Sequence, residues 1–264
     1  KDLSSDDKLD MFTKKVVGEL LGGKVLDSKI GTENKSGEVD LQMDKAIKQA
    51  KDIQLKYNDK GEHLASNGKS SNLTEQQAKI VRTDAFKNWF GDWENNPKEA
   101  SKVVDENGEP LVVYHGTNSE FTEFKQNNRS YGSGDTYGFL GNGFYFTNNF
   151  DTADSYSNYS GNVLPVFLNI KKPYISTNWE HTSPSRQGSF AKDLGVSVGE
   201  ETTFLKGKNH DGVISTDEDY AEYLIYNPNQ IKSATNNVGT FSNENNDIRF
   251  QVKDGLKEFV EDAK

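Results

Sequence analysis

Cysteine is absent from the chain, which excludes disulfides, thiolate zinc sites and a cysteine nucleophile. Histidine is scarce. His63, His115, His181 and His210 are scattered without metal-ligand spacing, so no metal site is expected. Long apolar runs are missing as well. A membrane helix needs roughly 18 to 20 apolar residues, and the longest candidate, Val163 to Ile170, is strand-length and contains Pro165. No signal peptide opens the sequence. It starts Lys1-Asp2-Leu3 in place of Met, which reads as an excerpt of a longer protein. Positive charge is also short: 31 Lys and Arg stand against 41 Asp and Glu, a net charge of -10. With no dense basic cluster, long-range attraction to nucleic-acid phosphates or an anionic membrane is unfavourable.

Hydrophobic residues make up 33% of the 264 positions, and the mean hydropathy is -0.83. One core is expected, with long stretches outside it, in a chain long enough for one full domain and a smaller appendage. Aromatic residues are plentiful, with 15 Phe and 11 Tyr. That supply suits a β-rich core with flat side chains to spare for a ligand.

The first 73 residues read as a polar helical arm and linker. Leu9, Phe12, Val16, Val17, Leu20 and Leu21 recur at helical spacing and Gly22-Gly23 follows. Glu38 to Lys56 reads as a second, weakly amphipathic helix, and Glu62 to Asn72 as linker. A stronger helix is expected from Thr74, which forms a capping box with Gln77. Ile80, Val81, Phe86, Trp89, Phe90 and Trp93 mark its core face. The pattern then turns to β. Asn107-Gly108 joins Lys102–Val104 to Pro110–Tyr114 as a hairpin. Strands are expected at Gly143 to Thr147, Val163 to Ile170, Gly212 to Ser215 and Glu222 to Tyr226. Phe150 to Tyr156 and Ser183 to Leu194 suit helices, and the Asn-rich stretch from Asn227 to Asp247 reads as surface loop. With no alternation of strand and helix, the fold class is α+β on an antiparallel sheet. The domain spans residues 74–252, with a charged helix or tail at 253–264.

Three strings stand out at strand positions: Tyr114-His115-Gly116-Thr117, Gly143-Phe144-Tyr145-Phe146-Thr147 and Glu222-Tyr223-Leu224-Ile225-Tyr226. Singly, each has an ordinary reading: a capping histidine, a core tyrosine, a solvated glutamate. In this order they resemble the ADP-ribosyltransferase superfamily, in the branch of diphtheria toxin and the poly(ADP-ribose) polymerases, marked by a His, Tyr, Glu triplet on successive strands. The similarity runs past three letters. His115 precedes Gly116 and a hydroxyl residue, Thr117. Tyr145 lies in a Gly-Phe-Tyr-Phe string close to the family's Gly-Ile-Tyr-Phe. A second tyrosine, Tyr156, follows on a predicted helix. The stretch Asn88-Trp89-Phe90-Gly91-Asp92-Trp93 and the hairpin after it resemble the ADP-ribosyltransferase modules of phage polyvalent proteins, large multidomain chains injected or expressed by phages. The resemblance covers roughly Asn72 to Gln251.

The resemblance implies split antiparallel sheets with flanking helices, and an NAD-dependent transferase that moves ADP-ribose to a protein acceptor in single units, acting inside the host cell, in the cytoplasm, as a toxin or effector. His115, Tyr145 and Glu222 are the implied catalytic residues. His115, Gly116, Thr117, Arg129, Tyr145 and Tyr156 are the implied contacts to NAD, and no metal is required. The chemistry suits these residue types. Two tyrosine rings can clamp flat nicotinamide. Gly116 lets backbone approach the carboxamide, and His115 can hydrogen-bond the adenosine ribose. A carboxylate at Glu222 can bind a ribose hydroxyl and oppose the positive charge that grows as nicotinamide leaves. One position departs from the polymerase pattern: Ala153 stands where many members carry a nicotinamide-binding serine, with Thr152 and Ser155 as neighbours able to substitute. Two alternatives stay open: an NAD glycohydrolase with water as acceptor, and a non-catalytic interaction module of the same fold. The acidic balance favours a protein acceptor over nucleic acid.

Overall fold

Hydrogen bonds from two threonines set how the helical region begins. The Thr74 side chain accepts from the Gln77 N–H, while the Gln77 side chain accepts from the Thr74 N–H, closing the expected capping box on α1 (Glu75–Ile80). The helix does not run on to Trp93. Thr83 takes an extended backbone and its hydroxyl accepts from the Phe86 N–H, which starts a second helix, α2 (Asp84–Phe90). All six residues of the expected apolar face are nonetheless buried.

The computed structural model describes residues 44–249, apart from 126–136, 160, 187, 218–219, 238–240 and 244. The sequence-read helix around Leu9 to Leu21, Arg129 and the closing segment 253–264 lie outside the described residues. Before α1, a helix covers residues 44–52 and buries Ala46, Ile47 and Ala50. Asn107-Gly108 makes its turn, with Gly108 at a φ of 80°. The strands expected on either side of it meet only in one bridge, Val104 to Pro110, and the second becomes regular strand from Val113.

The strands are β1 (Val113–Thr117), β2 (Tyr137–Gly138), β3 (Gly141–Asn142), β4 (Phe144–Thr147), β5 (Asn162–Leu168), β6 (Pro173–Ser176), β7 (Gly212–Asp217), β8 (Tyr220–Ile225) and β9 (Ile231–Ser233). The helices between them are α3 (Phe150–Tyr156), α4 (Ser189–Leu194) and α5 (Glu201–Gly207). β2 and β3 form a small hairpin, and the rest form one sheet in the order β6-β7-β8-β4-β1-β5-β9. β1 and β4 share a single register pair, Tyr114 with Thr147. On either side of it, β4 pairs β8 over four positions and β1 pairs β5 over five. The sheet is therefore narrowest at the β1–β4 seam, and the α+β class is the architecture observed, as one mixed seven-stranded sheet with flanking helices where split antiparallel sheets were expected.

Three features differ from the sequence reading. β6 and β7 pair in parallel, with α4 and α5 in the connection between them. β6 is hard to read because it is short and opens on Pro173, a residue admitted at the start of an edge strand, where its missing N–H costs nothing. Helix α5 also went unread. Its Glu-Thr-Thr-Phe-Leu-Lys-Gly sequence carries little apolar periodicity and no side chain caps it. Finally, the Asn-rich stretch is not all surface. It holds the edge strand β9, whose three residues are buried, and it buries Ala234, Asn237 and Phe241. Lys232 is fully buried there, and its Nζ donates to the carbonyls of Asn245 (2.6 Å) and Asp247 (3.3 Å).

One sheet face packs Val113, Phe144, Phe146, Val166, Tyr223 and Ile225 against Val103, Phe124 and Ile248. On the other face, α1 and α2 pack with Phe167 and Phe241, α3 packs on β1, and Phe190 of α4 and Leu205 of α5 pack with Val213 and Leu224. No helix among the described residues is long and apolar enough to cross a membrane.

Candidate active site

Strand register decides which side chains meet. Thr147 lies opposite Glu222 and Tyr145 opposite Leu224 across β4 and β8. Alternate residues of a strand share a face, so Tyr145, Thr147 and Glu222 point the same way. Tyr114 pairs with Thr147, which puts Tyr114 and Gly116 on that face too. Helix α3 lies over it. Tyr114 meets Phe150 edge to face at 5.4 Å, and a Cβ at Gly116 would overlap the Ala153 carbonyl oxygen. Glycine is therefore required at 116 for α3 to sit on β1. This is a packing reason, and it adds to the ligand-approach reason read from the sequence.

Glu222 is the most unusual group on this face. Its Oε1 accepts from the Tyr220 hydroxyl at 3.0 Å, whereas Oε2 is buried and has no hydrogen-bond partner among the described residues. Burial pushes its carboxyl above the usual carboxylate range, and the Tyr220 hydrogen bond pulls it partway back. An unmet buried carboxylate oxygen is costly and marks where a donor from a ligand fits.

Tyr145 is half-buried and its hydroxyl is fixed twice. It donates to the Gly141 carbonyl at 2.7 Å and accepts from the Leu140 N–H at 3.1 Å. The ring edge lies so close to Gly138 that a Cβ there would overlap it. Tyr145 thus ties the β2–β3 hairpin to the sheet. Thr202 of α5 clasps the same hairpin, accepting from Asn142 N–H (2.8 Å) and donating to Asn142 carbonyl (2.9 Å).

The other sequence-read residues are distributed as follows. Tyr156, at the end of α3, exposes 65% of its surface. Partial burial, and then the charge of Glu222, raise its phenol pKa. His115 belongs to the opposite face. Its ring packs against Phe124 at 5.0 Å and Phe146 at 5.4 Å. It reaches the β4 half through Nδ1, 2.8 Å from the Tyr145 carbonyl. Thr117 ends β1 and its Oγ1 accepts from the Ser119 N–H. Ala153 is buried, and the neighbouring Ser155 hydroxyl donates to the Thr152 carbonyl. The structure thus brings Tyr145, Glu222, Gly116 and Tyr156 to one face and joins His115 to them through the backbone of Tyr145.

Sequence reasoning missed Tyr220. The sequence reading began this strand at Glu222, whereas β8 begins two residues earlier. Alternation alone carried the signal, since Tyr220 and Glu222 share a face of β8.

Residues 105–241 match the family described as ADP-ribosyltransferase in polyvalent proteins, just over half of the 264 residues. The match spans His115, Gly116, Thr117, Tyr145, Tyr156 and Glu222. No curated protein matches the chain. The chain belongs to this family of ADP-ribosyltransferases, whose members draw on NAD as co-substrate.

Proposed function

We propose, from that membership, that the chain transfers ADP-ribose from NAD to a protein side chain in single units, with His115, Tyr145 and Glu222 as its donor-binding and catalytic residues. The observation that carries this reading is the Glu222 carboxylate, with one oxygen held by Tyr220 and the other buried without a partner among the described residues, on the face that Tyr145 shares. That oxygen fits a ribose hydroxyl. NAD supplies the ADP-ribosyl group, with nicotinamide as its leaving group. Glu222 accepts the hydroxyl and opposes the positive charge that develops at the ribose carbon. The charge is worth more here because burial screens it less.

The remaining residues bind and orient. Tyr145 offers a ring locked by its hydroxyl bonds, and Tyr156 offers an exposed ring beside Gly116. Two such faces suit flat nicotinamide. A carbonyl only accepts, so His115 donates from Nδ1 to Tyr145, which fixes the ring that is to hydrogen-bond the adenosine ribose. Thr117 and Arg129 complete the donor contacts. The catalytic domain spans residues 74–252, with 1–73 as an arm and 253–264 as a tail. An acceptor of protein rather than nucleic acid follows from the net charge of -10, and the family's association with phage polyvalent proteins points to action in the host cytoplasm.

The test is to incubate the full chain with NAD and host lysate, quantify nicotinamide, and search proteins for ADP-ribose by mass spectrometry. Nicotinamide release matched by protein-bound ADP-ribose is expected. Free ADP-ribose alone would show hydrolysis, and no nicotinamide at all would leave a binding module.

A further inference from the structure

We infer that Tyr220 is a positioning residue for Glu222: its hydroxyl holds Oε1 and so aims Oε2 at the donor ribose. The inference rests on the reading of Glu222 given above. Its basis is one hydrogen bond and the strand register around it. Thr147 of β4 lies opposite Glu222 of β8. The Tyr220 hydroxyl donates to Glu222 Oε1 at 3.0 Å, and the two residues share a face of β8.

The consequence for Glu222 is geometric. A glutamate side chain free to rotate samples several rotamers, and freezing it costs conformational entropy on each binding event. Tyr220 removes that freedom in advance. With Oε1 occupied, the carboxylate presents only Oε2, which has no partner among the described residues. Tyr220 is suited to remain a donor. Burial, and then the charge of Glu222, push its phenol well above the usual range, so the proton stays on at any working pH. The titratable groups facing Glu222 among the described residues are Tyr220 on its own strand and Tyr156 on α3. β4 and β7 present Thr147 and Ser215 opposite it, neither of which titrates.

The test uses Tyr220→Phe in the full chain, with two readouts. The first is the carboxyl titration of Glu222 followed by NMR without NAD. The second is kcat and KM for nicotinamide release across pH. Losing the donor is expected to move the Glu222 titration to higher pH. At neutral pH kcat is expected to fall about 10-fold with KM within about threefold, and the deficit to shrink as pH rises and the carboxyl ionises. A folded Tyr220→Phe protein with unchanged titration and unchanged kcat overturns the inference, as does a loss confined to KM. Should Tyr220→Phe fail to fold, the Tyr220 hydroxyl proton of the wild-type protein decides by NMR: a slowly exchanging signal that shifts with the Glu222 titration is expected, and its absence overturns the inference. If the wild-type protein releases no nicotinamide, the donor reading fails, and the titration alone still decides whether Tyr220 holds Glu222.

Discussion

The imidazole Nδ1 of His115 lies 2.8 Å from the carbonyl oxygen of Tyr145, across the seam where β1 and β4 share only one register pair. The first two motifs of the triplet are therefore joined by a backbone acceptor, and the tyrosine side chain plays no part in the link. Substitutions of the Tyr145 ring leave the anchor of His115 in place, so the contributions of the two residues can be measured separately.

Tyr145→Ala should weaken NAD binding by about 1 to 3 kcal/mol through loss of a ring face. Tyr145→Phe keeps the ring but loses the bonds to Leu140 N–H and Gly141 carbonyl. It is expected to cost less affinity and to speed amide hydrogen exchange at Leu140. Calorimetry with NAD and exchange mass spectrometry separate the two effects. Unchanged affinity in Tyr145→Ala would remove the ring from the donor site.

Glu222→Gln is expected to hold NAD affinity within a few fold while turnover drops on the order of 100-fold or more, because the charge it opposes appears only as nicotinamide leaves. Equal losses in binding and turnover would show that Glu222 acts on the ground state.

The same substitution carries a pH-dependent stability signature. Burial raises the folded pKa of Glu222 above its unfolded value, so the folded state binds the proton more tightly. Ionised Glu222 then destabilises the fold at neutral pH, and this cost fades as pH falls through the raised pKa toward the usual carboxylate range. Glu222→Gln should melt higher than the wild type near neutrality, with the two curves converging on acidification. A melting series from about pH 8 down to about pH 4 checks the sign.

Arg82 pairs with the fully buried Glu109 side chain at 2.7 Å, and the Ser71 hydroxyl bonds the other Glu109 oxygen. Glu109→Ala strands a guanidinium that is 13% exposed and should cost about 3 kcal/mol in urea unfolding. Glu109→Gln, which keeps an acceptor for Arg82, should cost less. A small effect of Glu109→Ala would mean that Glu94, 3.3 Å from the Arg82 Nε, takes over the pairing.

A chain starting near Ser71 keeps every matched motif and should still release nicotinamide. It loses the Ser66–Glu94 and Asn67–Asn107 hydrogen bonds and the helix over residues 44–52, so it should melt lower. A folded but inactive product would make residues before Ser71 part of the site.

Much of this was legible because local rules and tertiary packing agree. The Thr74–Gln77 box, the apolar face from Ile80 to Trp93 and the turn at Asn107-Gly108 are short-range signals that the fold satisfies. Placing Tyr145 and Glu222 on strands was enough to bring them together once those strands paired. The sequence was silent where pairing across long distances overrides local preference. β9 forms within an Asn-rich stretch because β5 supplies its ladder, and β6 takes its parallel place because α4 and α5 carry the chain back. That His115 lies on the face opposite Tyr145 follows from the register at the seam, which no motif spacing encodes.

β9 closes one margin of the sheet, and a margin is where a foreign strand can add and seed aggregation. Here the Ser233 N–H already donates to the Ile248 carbonyl at 2.9 Å, and the Lys232 amine is buried against the carbonyls of Asn245 and Asp247. Burial pulls that amine down to about 8. An incoming strand would have to peel away residues 245–249 and leave a buried amine with nothing to bond. The buried lysine thus pins residues 245–249 across the margin that a foreign strand would need.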